Sequence, residues 1–190
     1  MKKIMFNDKY GLTQAVLNGT KTVSRRIPGE QKKLDFLAYT FNNDIQSLAP
    51  DFCNYQVGEE VAVAQRYYDL YMDNIGITPE AKPFKEEHMK SAGWTNKMFV
   101  KAELMPHRIR IKSLRLEHLQ DVTDDDARRE CTLFYNFVDK KYEACGIPRQ
   151  QFDTPHDAFA ALIDKVGGKG TWEKNPWVVR YEFELINKED

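Results

Sequence analysis

The chain has 190 residues, 42% of them hydrophobic, 12% aromatic and 30% charged, and its 28 Lys and Arg nearly cancel its 29 Asp and Glu. That is the composition of one ordinary globular domain, and a formal net charge of -1 excludes a global field drawing the chain to nucleic acid or lipid, so any such binding is local. No apolar run approaches the roughly 18 to 20 residues that span a bilayer, and the start of the chain turns polar too soon for a signal peptide, so we expect a cytoplasmic protein with no membrane partner.

In chain order, a first helix is predicted from Asn7-Asp8, either of which can cap, with Leu12, Ala15 and Val16 at helical spacing and Asn18-Gly19 as its stop. The polar run Thr20 to Arg26 then forms a loop or the start of a strand before Pro28-Gly29 breaks the chain. Between Gln31 and Tyr55, two short apolar stretches flank Asn42-Asn43-Asp44, which suggests a hairpin. Val57-Gly58-Glu59-Glu60 reads as a turn leading into the strand Val61 to Ala64. Asp69 to Lys101 holds Pro79, Pro83 and Gly93 without sustained periodicity and is expected to run over the surface as an excursion.

His107 to Lys112 alternates with period two, placing Ile109 and Ile111 on one face of a strand and Arg108, Arg110 and Lys112 on the other. Thr123 caps a helix opened by Asp124, Asp125 and Asp126, whose carboxylates suit the helix dipole, with Ala127, Cys131, Phe134 and Val138 as its apolar stripe. A second capped start, Thr154-Pro155, precedes Phe159, Leu162, Ile163 and Val166 at i, i+3, i+4 and i+7, and Gly167-Gly168 stops that helix. The closing strand alternates Trp177, Val179, Tyr181, Phe183 and Leu185 against Arg180, Glu182 and Glu184. Strands on either side of helices predict a single α+β domain with a sheet or small barrel.

Cys53, Cys131 and Cys145 are odd in number and widely spaced, and His88, His107, His118 and His156 are scattered, so neither a disulfide framework, a zinc site nor any other cofactor is expected. Gly167 to Thr171 lacks the spacing of a phosphate-binding loop and follows a helix instead of preceding one. The chemistry-bearing segment is the first polar run. Lys21, Arg25 and Arg26 put three cations within six residues, with hydroxyls on Thr20, Thr22 and Ser24 between them. Such a cluster holds a phosphate or polarises a carbonyl, unless it is merely a solvated basic loop paired to acidic neighbours. The strand face of Arg108, Arg110 and Lys112, with Arg115 beyond, suits a nucleic-acid backbone or simply faces solvent. For stacking on a base, Trp172 and the Tyr67-Tyr68 pair beside Gln65-Arg66 are better placed than Trp177, which fits the core alternation.

Three segments resemble the ASCH domain family, whose fold is a small β-barrel related to PUA domains. Asn18 to Arg26 is similar to that family's G-x-K-T-x-(S/T)-x-R signature, and Tyr55 to Val63 to its G-(D/E)-x-(V/L)-x-V strand. The third segment runs from Met105-Pro106 through Leu119 to Thr123 and on to Asp126 to Glu130, and the ending Asn175 to Val178 is like that of longer, phage-associated members. The resemblance implies a PUA-like barrel over residues 1–190, with insertions at about 28–54 and 67–100, that binds RNA or a modified nucleoside in a basic pocket.

In a nucleoside-hydrolysing subgroup of that family, a Lys, a Thr and a Glu act on N4-acetylcytidine. Matched position by position, these fall on Lys21, Ser24 and Glu130 as the catalytic set. The basic run and the strand end add Arg25, Arg26, Arg66 and Tyr67 as the expected substrate-binding residues. A Ser hydroxyl needs a base, which a Lys of depressed pKa supplies, while Glu130 orients the Lys or shuttles a proton, or else only pairs across a helix surface. Ser24 departs from the subgroup's Thr but keeps a hydroxyl, and Cys131 stands where longer members commonly have Gly, which puts the local helix geometry in doubt. The alternatives are a ribonuclease using the same cations and a purely non-catalytic RNA-binding module.

Overall fold

The structure, a computed structural model, describes residues 1–40, 45–73 and 86–186. Its class is α+β. The main sheet runs in the order β1 (Lys3–Ile4), β3 (Glu60–Val63), β4 (Arg108–His118), β7 (Trp177–Ile186), β2 (Val23–Arg26), parallel between β1 and β3 and antiparallel elsewhere. Among the described residues, β1 and β2 end the sheet without pairing to each other. A separate hairpin joins β5 (Leu133–Asn136) to β6 (Lys141–Ala144). No described helix is long and apolar enough to cross a membrane.

The first helix starts as predicted at Asn7, whose side chain accepts from Lys9 N, but Gly11 at φ 65° divides it into a 3-10 turn, Asp8–Tyr10, and α1, Leu12–Leu17. Among the described residues, the stretches expected to form a hairpin between Gln31 and Tyr55 are helical. Gln31–Thr40 is a helix, α2, and Ile45–Phe52 a 3-10 helix, while Asn42-Asn43-Asp44 lies outside the described residues. Leu34 and Ala49 are buried in the main core, so tertiary packing decided what weak local propensity left open.

The excursion is also more than a surface path. α3 (Tyr67–Asp73) brings Tyr67 and Leu70 against Ala62, Ala64, Val100 and Met105 in a satellite core, and α4 (Glu86–Met89) follows it. Residues 74–85 of that stretch, including Pro79 and Pro83, lie outside the described residues.

β4 alternates as expected through Ile109 and Ile111, both fully buried, until its register with β7 shifts between Ile111 and Ser113. An extra residue in one strand reverses the faces beyond it. Leu116 therefore joins the main core, and Glu117 turns to the opposite face, alongside Arg180 of β7 and Arg25 of β2. That second face is covered by α5 (Asp124–Glu130) and α6 (Pro155–Gly167), each capped by its predicted Thr: Thr123 accepts from Asp126 N and Thr154 from Asp157 N. Because β7 is covered on both faces, Val178 and Arg180 are buried as well as Val179 and Tyr181, and Arg180 is not the solvent residue that alternation implied.

The stripe predicted for α5 ends early. The helix stops at Glu130, and Phe134 and Val138 sit exposed in and beside β5, because Cys131 takes an extended backbone with φ -111° and ψ 153°. Past β6 the chain turns at Gly146, φ 78°, where an added Cβ would lie 2.5 Å from Tyr10 Cδ1 and 2.8 Å from Lys9 O. Gly146→Ala is therefore expected to lose about 2 to 4 kcal/mol, the sum of left-handed strain and overpacking, read as a lower urea midpoint.

Candidate functional site

β2 is an edge strand, so the outward-facing groups of its backbone need partners that a neighbouring strand does not supply. α5 provides them. Arg25 N donates to Glu130 Oε1 at 2.5 Å, and Lys21 Nζ bridges Val23 O at 2.6 Å and Glu130 O at 2.8 Å. In the same contact Thr22 N donates to Arg129 O at 3.0 Å. Two carbonyls at the C-terminus of α5, which have no partner within the helix, are thus satisfied by the segment between α1 and β2, one of them by a cation.

Behind this edge lies an ion network. Arg25 Nε donates to Glu117 Oε1 at 2.6 Å, Nη1 to Glu130 Oε2 at 2.7 Å and Nη2 to Asp126 Oδ2 at 2.6 Å. Arg180 binds Asp126 with both Nε, at 2.7 Å, and Nη2, at 2.8 Å. Lys21, Arg25, Arg180, Glu117, Asp126 and Glu130 are all the buried charged residues among those described, and their formal charges cancel. Burial alone would raise the Asp126 carboxyl, but hydrogen bonds from Arg180 and Arg25 outweigh it and hold the group well below the usual range.

Against the free edge of β2 opens a cavity of about 390 Å³. Lys21, Ser24, Arg25, Arg26 and Glu130 line it together with Leu119, Phe159 and Leu162, the Phe159 ring centre lying 5.9 Å from the Arg25 guanidinium carbon. Ser24 is 6% exposed, and its hydroxyl makes no hydrogen bond to any described residue. Burial is the main cause lowering the Lys21 amine below its ordinary value; Glu130, with Oε1 4.0 Å from Nζ, opposes the shift, and Arg25 and Arg26 assist it. Lys21 is thus placed to lose its proton more readily than a free lysine, although its two hydrogen bonds go to carbonyls and not to Ser24.

Arg26 lies at the cavity's mouth. Its Nη2 donates to Met5 O at 2.8 Å, its guanidinium carbon stands 5.5 Å from the centre of the Phe6 ring, and its buried Nε has no partner among the described residues. It forms no ion pair with a described carboxylate, whereas Arg25 is engaged by three carboxylates and its side chain has no exposed surface. The Cys131 thiol, also lining the cavity, is pushed far above its ordinary value by burial, which disfavours the thiolate. No group of three or more His, Cys, Asp or Glu among the described residues is arranged to hold a metal ion.

Two residues assigned to the substrate site are elsewhere. Arg66 lines a different depression with Asp8, Gln14 and Asp69, and holds Asp69 through Nε at 2.8 Å and Nη2 at 2.6 Å. Tyr67 is 3% exposed and its hydroxyl accepts from Lys101 N, so the ring is core. Their neighbours in sequence suggested a strand end facing the pocket, but α3 turns both away. Trp172 packs edge-on to Phe159 and His156, and the half-buried Trp177 lies 4.0 Å, centre to centre, from His118. The basic face of β4 is neutralised: Arg110 pairs with Glu60 and Glu184, Lys112 with Glu184, and Arg115 with Glu117.

Reading the sequence missed Glu117, Asp126 and Arg180. Only one signal pointed to them: the adjacent apolar pair Val178-Val179 breaks strict alternation and marks a strand covered on both faces, where Arg180 must find a buried anion. Compared with known proteins, the chain matches no family model, no curated protein and no solved structure.

Proposed function

We propose that the chain is an ASCH-type protein with a PUA-like barrel, and that it binds a modified nucleoside in this cavity and hydrolyses an N4-acylated cytosine. The barrel is supported by the seam between the two sheet ends, where Arg26 of β2 reaches the carbonyl of Met5, the residue following β1. The observation that carries the reaction is the unpartnered Ser24 hydroxyl lining a largely apolar cavity beside a buried lysine of lowered pKa.

In this reaction neutral Lys21 takes the proton of Ser24 as Oγ attacks the acyl carbon. The tetrahedral intermediate collapses with cleavage of the C–N bond, and Lys21 returns the proton to the leaving exocyclic amine. Water then attacks the acyl ester on Ser24, Lys21 again acting as base, and releases a carboxylic acid. Glu130 is a positioning residue here: its carbonyl anchors Lys21 Nζ, and its carboxylate is spent on Arg25. Arg26, as a fixed cation at the mouth, offers donors to a base edge.

The pairing of the β4 cations favours a small ligand over an RNA backbone, and the engagement of Arg25 by three buried carboxylates leaves a ribonuclease short of uncompensated cations for a phosphorane. Incubation with N4-acetylcytidine tests the reading by chromatography. Cytidine and acetate are expected in equal amounts, with Ser24→Ala slowing turnover by about a thousandfold or more while nucleoside binding persists. A folded wild-type protein that releases no cytidine, or a Ser24→Ala variant as active as wild type, would sink it.

A further inference from the structure

The cavity is divided by chemistry. Its charged groups come from the Lys21–Arg26 segment and Glu130, while Leu119, Phe159, Leu162, Ile163 and Val178 build an apolar wall, with Thr171 beside its α6 end. The predicted stripe of α6 explains this wall: Phe159 and Leu162 fill the core, but Ile163 and Val166, on the same helical face, continue past it and line the cavity. At the rim, three large apolar side chains stand exposed around one opening: Met5 at 39%, Ile27 at 48% and Val166 at 46%. Isolated exposed apolar residues need no explanation, but a ring of them on a cavity with apolar walls marks a surface suited to apolar ligand atoms.

A methyl group would leave most of that wall wet. Resting on the hydrolase reading, we infer that the acyl group this site is built for is a medium-length alkanoyl chain, butanoyl to octanoyl, lying along α6 from Ser24 towards the Ile27–Val166 rim. The acyl carbon sits at Ser24 Oγ, the cytosine faces Arg26 on the Met5–Ile27 side of the mouth, and the chain displaces water from Leu162, Ile163 and Val166 on the α6 side. Each buried methylene then strengthens binding about fourfold.

The test is a chain-length series of N4-acetyl-, butanoyl-, hexanoyl- and octanoylcytidine, followed by cytidine release. The expected kcat/KM rises with length, hexanoyl exceeding acetyl by about 250-fold if all four added methylenes are buried. Val166→Trp, at the rim, lowers the hexanoyl-to-acetyl ratio at least tenfold, with its urea midpoint measured alongside to show that the fold is kept. Turnover of acetylcytidine with a flat or falling series, or a ratio unmoved in Val166→Trp, overturns the chain's placement.

Calorimetry separates this proposal from the reading beneath it. Ser24→Ala, which cannot be acylated, is titrated with the same series. A Kd that falls with chain length supports the α6 wall even where wild type turns over none of the compounds, an outcome that would remove hydrolysis alone. A Kd independent of length overturns the wall as an acyl site.

Discussion

Arg25→Gln is expected to lower the unfolding free energy by about 3 to 5 kcal/mol, the usual cost of stranding buried charges by removing their partner. One guanidinium answers three carboxylates in the interior of the network, at 2.6 to 2.7 Å each, and its side chain has no exposed surface. Gln offers at most two N–H donors and no charge, so Glu130 keeps only the more distant Lys21 as a cation. The loss is a large fraction of the 5 to 15 kcal/mol typical of a domain, and urea denaturation reads it directly. As the control, Arg110→Gln removes only exposed pairs to Glu60 and Glu184 and is expected to cost less than about 1 kcal/mol. Equal midpoints for the two variants would show that the network does not hold the second layer in place.

The same network makes acid the condition under which the fold weakens. Asp126 has a folded pKa below its unfolded value of about 3.9. Its contribution is therefore fully present above the unfolded value and is lost as pH falls towards the folded one. The gap between wild type and Arg25→Gln is expected to be widest at neutral pH and to narrow below about pH 4.

Lys21→Gln is expected to reduce kcat/KM for an N4-acylcytidine by about a hundredfold to ten-thousandfold, the range for loss of a general base. Burial shifts the free amine form of Lys21 to lower pH, and the proposed mechanism uses that form. Wild-type activity should therefore rise with pH to a plateau reached below the pKa of an unperturbed lysine, and the variant should lose that rise. Gln keeps a donor for one of the two carbonyls that Nζ holds, Val23 O and Glu130 O, so the stability change is expected to be smaller than for Arg25→Gln. An unchanged pH profile in the variant would assign Lys21 to capping α5 and nothing more.

Much of the secondary structure was legible because local rules and tertiary environment agree there. Thr123 and Thr154 are caps whose hydroxyl oxygens accept from the backbone N–H three residues on. Ile109, Ile111, Tyr181 and Phe183 alternate because one face of their strands meets the core. The run from Lys21 to Arg26 was singled out by density of charge, and the structure brings Lys21, Ser24, Arg25 and Arg26 to one cavity with Glu130, 109 residues beyond Lys21.

Other features depended on packing alone. The sequence from Gln31 to Phe52 has too weak a period to separate helix from strand, and burial of Leu34 and Ala49 decided it. Whether Arg25 would reach for ligand or for carboxylate depended on a bulge in β4 that turns Glu117 towards it and on the two covered faces of β7 that bury Arg180. By itself the sequence determined where cations, hydroxyls and apolar stripes lie along the chain, since those follow from residue type and local period. Only the tertiary structure decided which charges neutralise one another and which groups remain facing the cavity, because desolvation forces each buried ion to a partner that can lie a hundred residues away.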